Sequence, residues 1–221
     1  MTVLDWLFVG GISISLLCLI IGVFFIILVF KLMNEYTTLG KKKPKNKGKK
    51  KRWVRTRRKI KKKKGSYLKR GISLLIMAVL FCSGGIYARY YQMTNLSSKD
   101  SNIIVQSHFI NEEIEKSLTG IQNGADVGKT REKLRELSSL LTTYGTTSPS
   151  GSLSQEGQRL MKRYYVQLRD LGVNIYSLSV EQLSEPEKVA TYIEDLKRIK
   201  QTQKKVFKQF SVNEAALKQK K

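Results

Sequence analysis

Residues 31–70 read KLMNEYTTLGKKKPKNKGKKKRWVRTRRKIKKKKGSYLKR, and they organise the whole chain because they carry 20 of its 41 lysine and arginine residues. Only one acid, Glu35, lies in this stretch. An apolar run lies on each side of it, at residues 6–30 and 71–88. Both runs reach the length of a membrane-spanning helix, and lysine and arginine collect in cytoplasmic loops of membrane proteins. The pattern therefore predicts two spans joined by a basic cytoplasmic loop.

The domain organisation follows from these runs. No lysine or arginine precedes the first run, which disfavours a cleaved signal peptide and predicts an external N-terminus. No acid or lysine lies deep in either run, so an ion pathway or transporter core is not expected. The predicted parts are an external N-terminus at 1–5, spans at 6–30 and 71–91, a cytoplasmic loop at 31–70, and an external domain at 92–221.

The first part of the basic loop, KKKPKNKGKKKR at 41–52, has no apolar residue to bury and repels itself, so we expect a disordered loop. Trp53, Ile60 and Tyr67 recur every seven residues, a weak indication of one helix face, and Trp53 and Ile60 are expected at the lipid interface. Each cation near an anionic leaflet contributes about 1 kcal/mol, which favours lipid headgroups as the ligand. Nucleic acid and an acidic cytoplasmic protein are the alternatives. The residues expected to contact anionic lipid or phosphate are Lys41, Lys42, Lys43, Lys49, Lys50, Lys51, Arg52, Trp53, Arg55, Arg57, Arg58, Lys59, Lys61, Lys62, Lys63 and Lys64.

The region after the second run has near-ordinary charge and regular apolar spacing. Apolar residues alternate in steps of three and four, which predicts amphipathic helices at about 103–122, 128–144, 155–178 and 185–211. Ser184 and Glu187 flank Pro186 as a capping box that opens the last helix. The predicted class is all-α: two transmembrane helices, a disordered polybasic cytoplasmic loop, and an extracytoplasmic helical bundle or helical hairpins.

Two sets of residues are candidates for contact with a partner helix. Gly84 and Gly85 would allow close approach in the second span, although packing within this chain is the simpler interpretation. The apolar stripe of the last helix is the second candidate, although such stripes are more often core; its members are Tyr192, Leu196, Ile199, Val206 and Phe210.

Residues that could carry chemistry are few. Residues 124–130, GADVGKT, resemble a phosphate-binding loop, but the leading glycine is one position too close and no strand precedes it. His108 with Glu112 and Glu115 could supply metal ligands only weakly. No nucleophile motif accompanies the single histidine. The sequence predicts no cofactor, no metal site and no enzyme activity.

The function expected from these patterns is that of a non-enzymatic accessory or scaffold protein in a cell-envelope assembly, such as secretion, conjugation, wall synthesis or division. It would bind a membrane or envelope protein through its external helices. Alternatives are a sensor that signals through a partner, a membrane-tethered nucleic-acid-binding protein, and an envelope enzyme. The lysine-rich composition and the absence of cysteine outside the apolar runs favour a Gram-positive source.

Overall fold

The computed structural model describes residues 3–41, 44 and 47–218, and every regular element in these ranges is an α-helix. The all-helical prediction is therefore confirmed for the described residues. The chain divides into two compact units, with the boundary between Tyr90 and Tyr91. The helices are α1 (Val3–Lys41), α2 (Lys47–Thr94), α3 (Ser98–Gln122), α4 (Val127–Gly145), α5 (Gln155–Tyr176), α6 (Val180–Leu183), α7 (Pro186–Gln209) and α8 (Glu214–Lys218).

The expected disordered loop is the main difference between sequence and structure. Helix α1 continues to Lys41 and α2 begins at Lys47, so most of residues 31–70 is helical. Lysine and arginine are good helix formers, and after Pro44 the stretch contains no proline, so local propensity outweighs the self-repulsion. The disorder prediction is wrong for the described part of this stretch, while residues 42, 43, 45 and 46 lie outside the described residues.

Helices α1 and α2 form an antiparallel hairpin with small residues along the seam. The Ser15 hydroxyl donates a 2.8 Å hydrogen bond to the carbonyl oxygen of Ala78. A Cβ atom added to Gly22 would lie 3.1 Å from Leu75, and one added to Gly85 would lie 3.4 Å from the carbonyl oxygen of Phe8. Small residues of this kind let two helix backbones approach closely.

The outer surface of this hairpin is apolar. Both helices are long and apolar enough to cross a membrane, with mean hydropathies of 3.1 and 2.0 in their most apolar windows. Only 17% and 22% of those windows are buried by the protein itself. A solvated protein rarely exposes so much contiguous apolar surface, and such surface is typical of helices that contact lipid or another protein.

The second unit packs α3, α4, α5 and α7 around one hydrophobic core. In chain order, these four helices overlap the predicted ranges 103–122, 128–144, 155–178 and 185–211. The capping box differs from expectation: it joins Ser179 and Gln182 at the start of α6. Helix α7 begins at Pro186, and its N-cap residue, Glu185, makes no side-chain capping hydrogen bond. Helix α6 has only four residues, too few for apolar spacing to reveal it.

The closest helix pair of this unit is α4 and α5. A Cβ atom on Gly172 would lie 2.6 Å from the carbonyl oxygen of Ser138 and 2.5 Å from the Thr142 hydroxyl. A Cβ atom on Gly145 would overlap the backbone of Arg169. Glycine at these two positions therefore sets the distance between the helices.

We predict that Gly172→Ala lowers the free energy of unfolding of the second unit by about 1–3 kcal/mol, because the added methyl group forces two backbones apart. Denaturant unfolding of the full chain in detergent, followed by amide hydrogen exchange of α5, measures this loss. Gly120→Ala is the matched control, since its Cβ atom would lie 3.7 Å from Ala125, an ordinary contact. Equal stability of both variants would contradict the proposed tight crossing.

Candidate functional site

Nearly all cationic side chains of the first unit lie toward the turn end of the hairpin, where α1 ends and α2 begins. Arg57 and Lys64 are half-buried, as is Trp53, whereas Lys42 and Lys43 lie outside the described residues. The exposed members of the predicted set are Lys41, Lys49, Lys50, Lys51, Arg52, Arg55, Arg58, Lys59, Lys61, Lys62 and Lys63. The structure therefore keeps eleven of the predicted contact residues accessible.

Trp53 and Arg57 hold the basic end of the hairpin together. The indole Nε1 of Trp53 donates a 2.9 Å hydrogen bond to the carbonyl oxygen of Leu39 on α1. The guanidinium of Arg57 lies 4.5 Å from the ring centre of Tyr36 and 5.2 Å from that of Trp53, within cation–π range. Trp53 therefore contacts α1, which differs from the expectation that it dips into lipid.

The seven-residue spacing of Trp53, Ile60 and Tyr67 marks the seam between the two helices. Ile60 is buried, and the Tyr67 ring lies 5.6 Å from that of Phe25 on α1. All three side chains thus lie on the face of α2 that meets α1. The weak sequence signal did indicate one helix face, but Ile60 is covered by protein and cannot serve as the expected lipid anchor.

The helical conformation spreads the cations over a long distance. At about 1.5 Å per residue, Lys64 lies roughly 10 Å along the axis from Gly71, where the second apolar run begins. Arg52 and Lys49 lie roughly 29 and 33 Å from Gly71 by the same rise. We define Arg58, Lys59, Lys61, Lys62, Lys63 and Lys64 as the proximal cations, and Lys49, Lys50, Lys51 and Arg52 as the distal cations.

The cations also repel each other along α2. Lys51, Arg55, Lys59 and Lys63 follow each other at four-residue intervals, so each meets a like charge on the next turn. Each such pair destabilises a helix by a few tenths of a kcal/mol, more at low salt. An anionic ligand that neutralises this face would therefore stabilise the helical form.

The predicted partner-helix residues divide between surface and core. A Cβ atom added to Gly84 would have no neighbour within 4 Å, whereas Gly85 packs against α1 at Phe8 and Ile12. In α7, Tyr192 is half-buried and packs at the edge of the core. The buried members of the stripe are Leu196, Ile199, Val206 and Phe210. Leu196, Ile199 and Val206 form the inner face of α7, Phe210 directly follows its end, and all four are covered by this chain's own core.

A buried carboxylate, Asp100, joins three segments of the second unit. Its oxygens accept hydrogen bonds of 2.8 Å from the Tyr165 hydroxyl, 2.8 Å from the Ser97 hydroxyl and 3.1 Å from the Ser150 backbone N–H. Asp100 is 1% exposed. With three donors and a place in the first turn of α3, the carboxylate is stabilised by hydrogen bonds and the helix dipole.

A second polar chain crosses the core from α3 to α7. The Tyr164 hydroxyl lies 2.8 Å from the Ser107 hydroxyl and accepts a 2.8 Å hydrogen bond from the Gln203 amide. Gln203 Oε1 lies 3.3 Å from Nδ1 of His108, whose Nε2 lies 3.6 Å from Glu112. Sequence periodicity missed this chain because it is assembled from three helices distant in sequence.

The residues considered for metal binding and for phosphate binding make structural contacts. Glu115 pairs with Lys200 rather than turning toward His108, and no cluster of three metal-ligating side chains occurs within residues 3–41 and 47–218. Gly124 adopts φ +88° in a helix–helix turn, and the Asp126 side chain caps α4 through the Lys129 N–H. The resemblance to a phosphate-binding loop therefore comes from ordinary turn and capping residues.

Burial raises the pKa of both Tyr164 and Tyr165, and for Tyr165 the hydrogen bond to Asp100 adds to the effect. Above pH 10 the unfolded chain loses tyrosine protons that the folded protein keeps, so the free energy of unfolding falls as pH rises. We predict that Tyr164→Phe reduces this fall by about 1 kcal/mol between pH 10 and pH 11. Denaturant unfolding between pH 10 and 11 checks it, with Tyr176→Phe, on an exposed ring, as control. Unchanged slopes in Tyr164→Phe would contradict it.

We predict that Trp53 fluorescence in a Trp6→Phe background is the same in nanodiscs of neutral and of anionic lipid, because the indole is bound to α1. Brominated lipid chains should not quench it. The reference is the Trp6-only variant, Trp53→Phe, whose tryptophan is 67% exposed and lies in the first apolar run. Equal quenching of the two tryptophans would show that Trp53 enters the bilayer.

Comparison with known proteins adds no assignment. No family model matches the chain, no curated protein matches it, and no solved structure matches it. The function therefore has to be inferred from the charges, contacts and burial of the residues themselves.

Proposed function

We propose that this chain is a non-enzymatic membrane protein that anchors a helical domain at the outer face of a cell membrane and positions it for a partner in an envelope assembly. In this proposal α1 and α2 each cross the bilayer. The basic end of the hairpin lies in the cytoplasm, and both the N-terminus and the second unit lie outside. The observation that carries the proposal is the apolar hairpin, most of whose surface is uncovered, with its cations concentrated at the turn end.

The asymmetry of charge supports this orientation. The turn end of the hairpin carries nearly all the cations of the first unit, whereas the other end carries Asp5 and Arg89. Lysine and arginine in short loops direct those loops to the cytoplasm. Tyr87 and Tyr90, which are 66% and 62% exposed, lie where an outer aromatic belt would form.

The proximal cations are suited to anionic headgroups. The headgroup layer adds about 5–7 Å to the hydrocarbon core on each side, and the Debye length is about 8 Å at physiological salt. Lys61, Lys62, Lys63 and Lys64 fall within these distances of Gly71 once side-chain length is included. The distal cations do not, so a nucleic-acid backbone or an acidic protein remains the second candidate ligand for them.

The second unit supplies the partner-binding part of the proposal. It has one core, long exposed helix faces and no described metal cluster, which suits protein–protein contact better than catalysis. Its polar clusters at Asp100 and Tyr164 are enclosed and fully occupied in holding helices together. Neither cluster presents a reactive group to a substrate.

The orientation predicts the labelling of single cysteines in a Cys18→Ser, Cys82→Ser background. Cysteine introduced by Asn123→Cys, in the exposed turn before α4, should react with a membrane-impermeant thiol reagent on intact cells. Cysteine introduced by Thr56→Cys, on the exposed face of the basic segment, should react at least tenfold more slowly until the cells are permeabilised.

Both positions are exposed, so the unequal labelling would report the side of the membrane rather than burial. Reversed labelling would overturn the orientation, and equal labelling of both positions on intact cells would overturn the two-span arrangement.

Recovery of a membrane protein in stoichiometric amount with the full chain in mild detergent would support the role of a scaffold. A chain that purifies alone would count against that role.

A further inference from the structure

The second unit separates its surface cations into a paired group and an unpaired group. Ion pairs hold one group, and the hydrogen bond from Lys133 lowers the pKa of the Glu113 carboxyl as part of this pairing. The paired residues are Lys116, Arg131, Lys133, Arg169, Lys188, Arg198 and Lys200. A second group of exposed residues has no ion pair with any carboxylate in the described part of the chain: Lys99, Lys129, Arg159, Lys162, Arg163, Lys197, Lys204, Lys205 and Lys208.

Six of these nine unpaired cations lie on two neighbouring helix segments. Three lie in the first half of α5 and three in the last turns of α7. These segments are adjacent, because a Cβ atom on Gly157 would lie 3.0 Å from the Phe210 ring. An open cleft of 630 Å³ between the helices, here termed the α5–α7 groove, is lined by Glu156, Arg159, Leu160, Arg163, Lys205, Lys208 and Gln209.

The groove has the chemistry of an anion site. Arg159 and Arg163 are four residues apart on α5, and Lys205 and Lys208 are three apart on α7, so each pair lies on one face of its helix. One acid, Glu156, lines the same cleft, which leaves three positive charges uncompensated. The arginine fork binds phosphate oxygens in a bidentate manner, and lysine adds a point charge.

The start of α5, which leads to the groove, contacts the residues that directly follow the second apolar run. The N–H of Ser154, which caps α5, donates a 3.2 Å hydrogen bond to the carbonyl oxygen of Met93. Arg159 and Arg163 lie five and nine residues beyond Ser154, roughly 8 and 14 Å along the helix. Met93 in turn follows the second apolar run, which ends at Ala88, by only five residues.

We propose that the α5–α7 groove binds the phosphate of an anionic phospholipid headgroup at the outer face of the membrane. This inference rests on the proposed function, in which residues 71–88 cross the bilayer and the second unit follows them outside. Headgroup phosphates are then the anions that meet the groove at the highest local concentration. Leu160 lines the groove as well, and it provides an apolar contact that a free inorganic anion would not use.

The experiment places a photo-crosslinker in the groove of the full chain. Gln209→p-benzoylphenylalanine is suitable because Gln209 is exposed and lines the cleft. The protein is reconstituted in nanodiscs of phosphatidylcholine alone or with 30% phosphatidylglycerol, and lipid adducts are counted by mass spectrometry. We expect the ratio of phosphatidylglycerol adducts to phosphatidylcholine adducts to exceed the 30:70 ratio of the two lipids in the disc at least fivefold.

Charge reversal provides the specificity test. Arg163→Glu with Lys205→Glu should reduce the phosphatidylglycerol adduct at least fivefold, and Arg163→Gln with Lys205→Gln should reduce it by an intermediate amount. The matched control reverses two exposed lysines outside the groove that have no ion pair in the described part of the chain, Lys129→Glu with Lys197→Glu, for the same change in net charge. The control should leave the adduct within twofold of the parent. Circular dichroism verifies that each variant keeps its helix content.

Each of four results would overturn the inference. Adducts in proportion to bulk lipid composition would show contact without anion selectivity. Equal losses in the groove variant and the control would show a general charge effect. Loss of the phosphatidylglycerol adduct when 10 mM inorganic phosphate or soluble polyglutamate is present during irradiation would assign the groove to a soluble anion. A chain that does not enter nanodiscs would overturn the proposed function together with this inference, whereas insertion without selective adducts would overturn this inference alone.

Discussion

A lysine or arginine side chain without an acidic partner must stay in water or meet an anion, because burying an unpaired charge is costly. This constraint governs both units of the protein. In the first unit, the cations occupy the exposed faces of two helix ends whose remaining surface is apolar. In the second, four exposed and unpaired cations line the α5–α7 groove, whereas ion pairs join several of the other cations to nearby acids.

The helical form of the basic segment changes what its charge can do. A disordered loop could lay every lysine on a lipid surface, whereas a helix held to α1 by Trp53 and Arg57 places its charges at set distances. The rise of about 1.5 Å per residue then separates cations that reach the headgroups from those that do not. One sequence feature thus becomes two surfaces with different candidate ligands.

The polar residues in the core of the second unit determine how its helices are arranged rather than performing chemistry. Asp100 connects the start of α3 to α5 and to the segment at Ser150. Tyr164 connects α3 and α7 through Ser107 and Gln203. An enclosed polar group requires a partner in one geometry, so these contacts select one packing of amphipathic helices that apolar contacts alone would leave less specific.

The sequence by itself determined the helical class, the two apolar runs and the approximate positions of α3, α4, α5 and α7, because each depends on local composition or on a period of 3.6 residues. It could not determine the conformation of residues 47–70, where helix propensity and self-repulsion oppose each other; the structure shows a helix that is held to α1 through Trp53. It also could not separate core from partner surface on α7, since an apolar stripe is the same in both. Only the tertiary structure shows that Leu196 and Val206 face inward and that Arg163 and Lys205 line one groove, because these relations depend on which helices pack side by side.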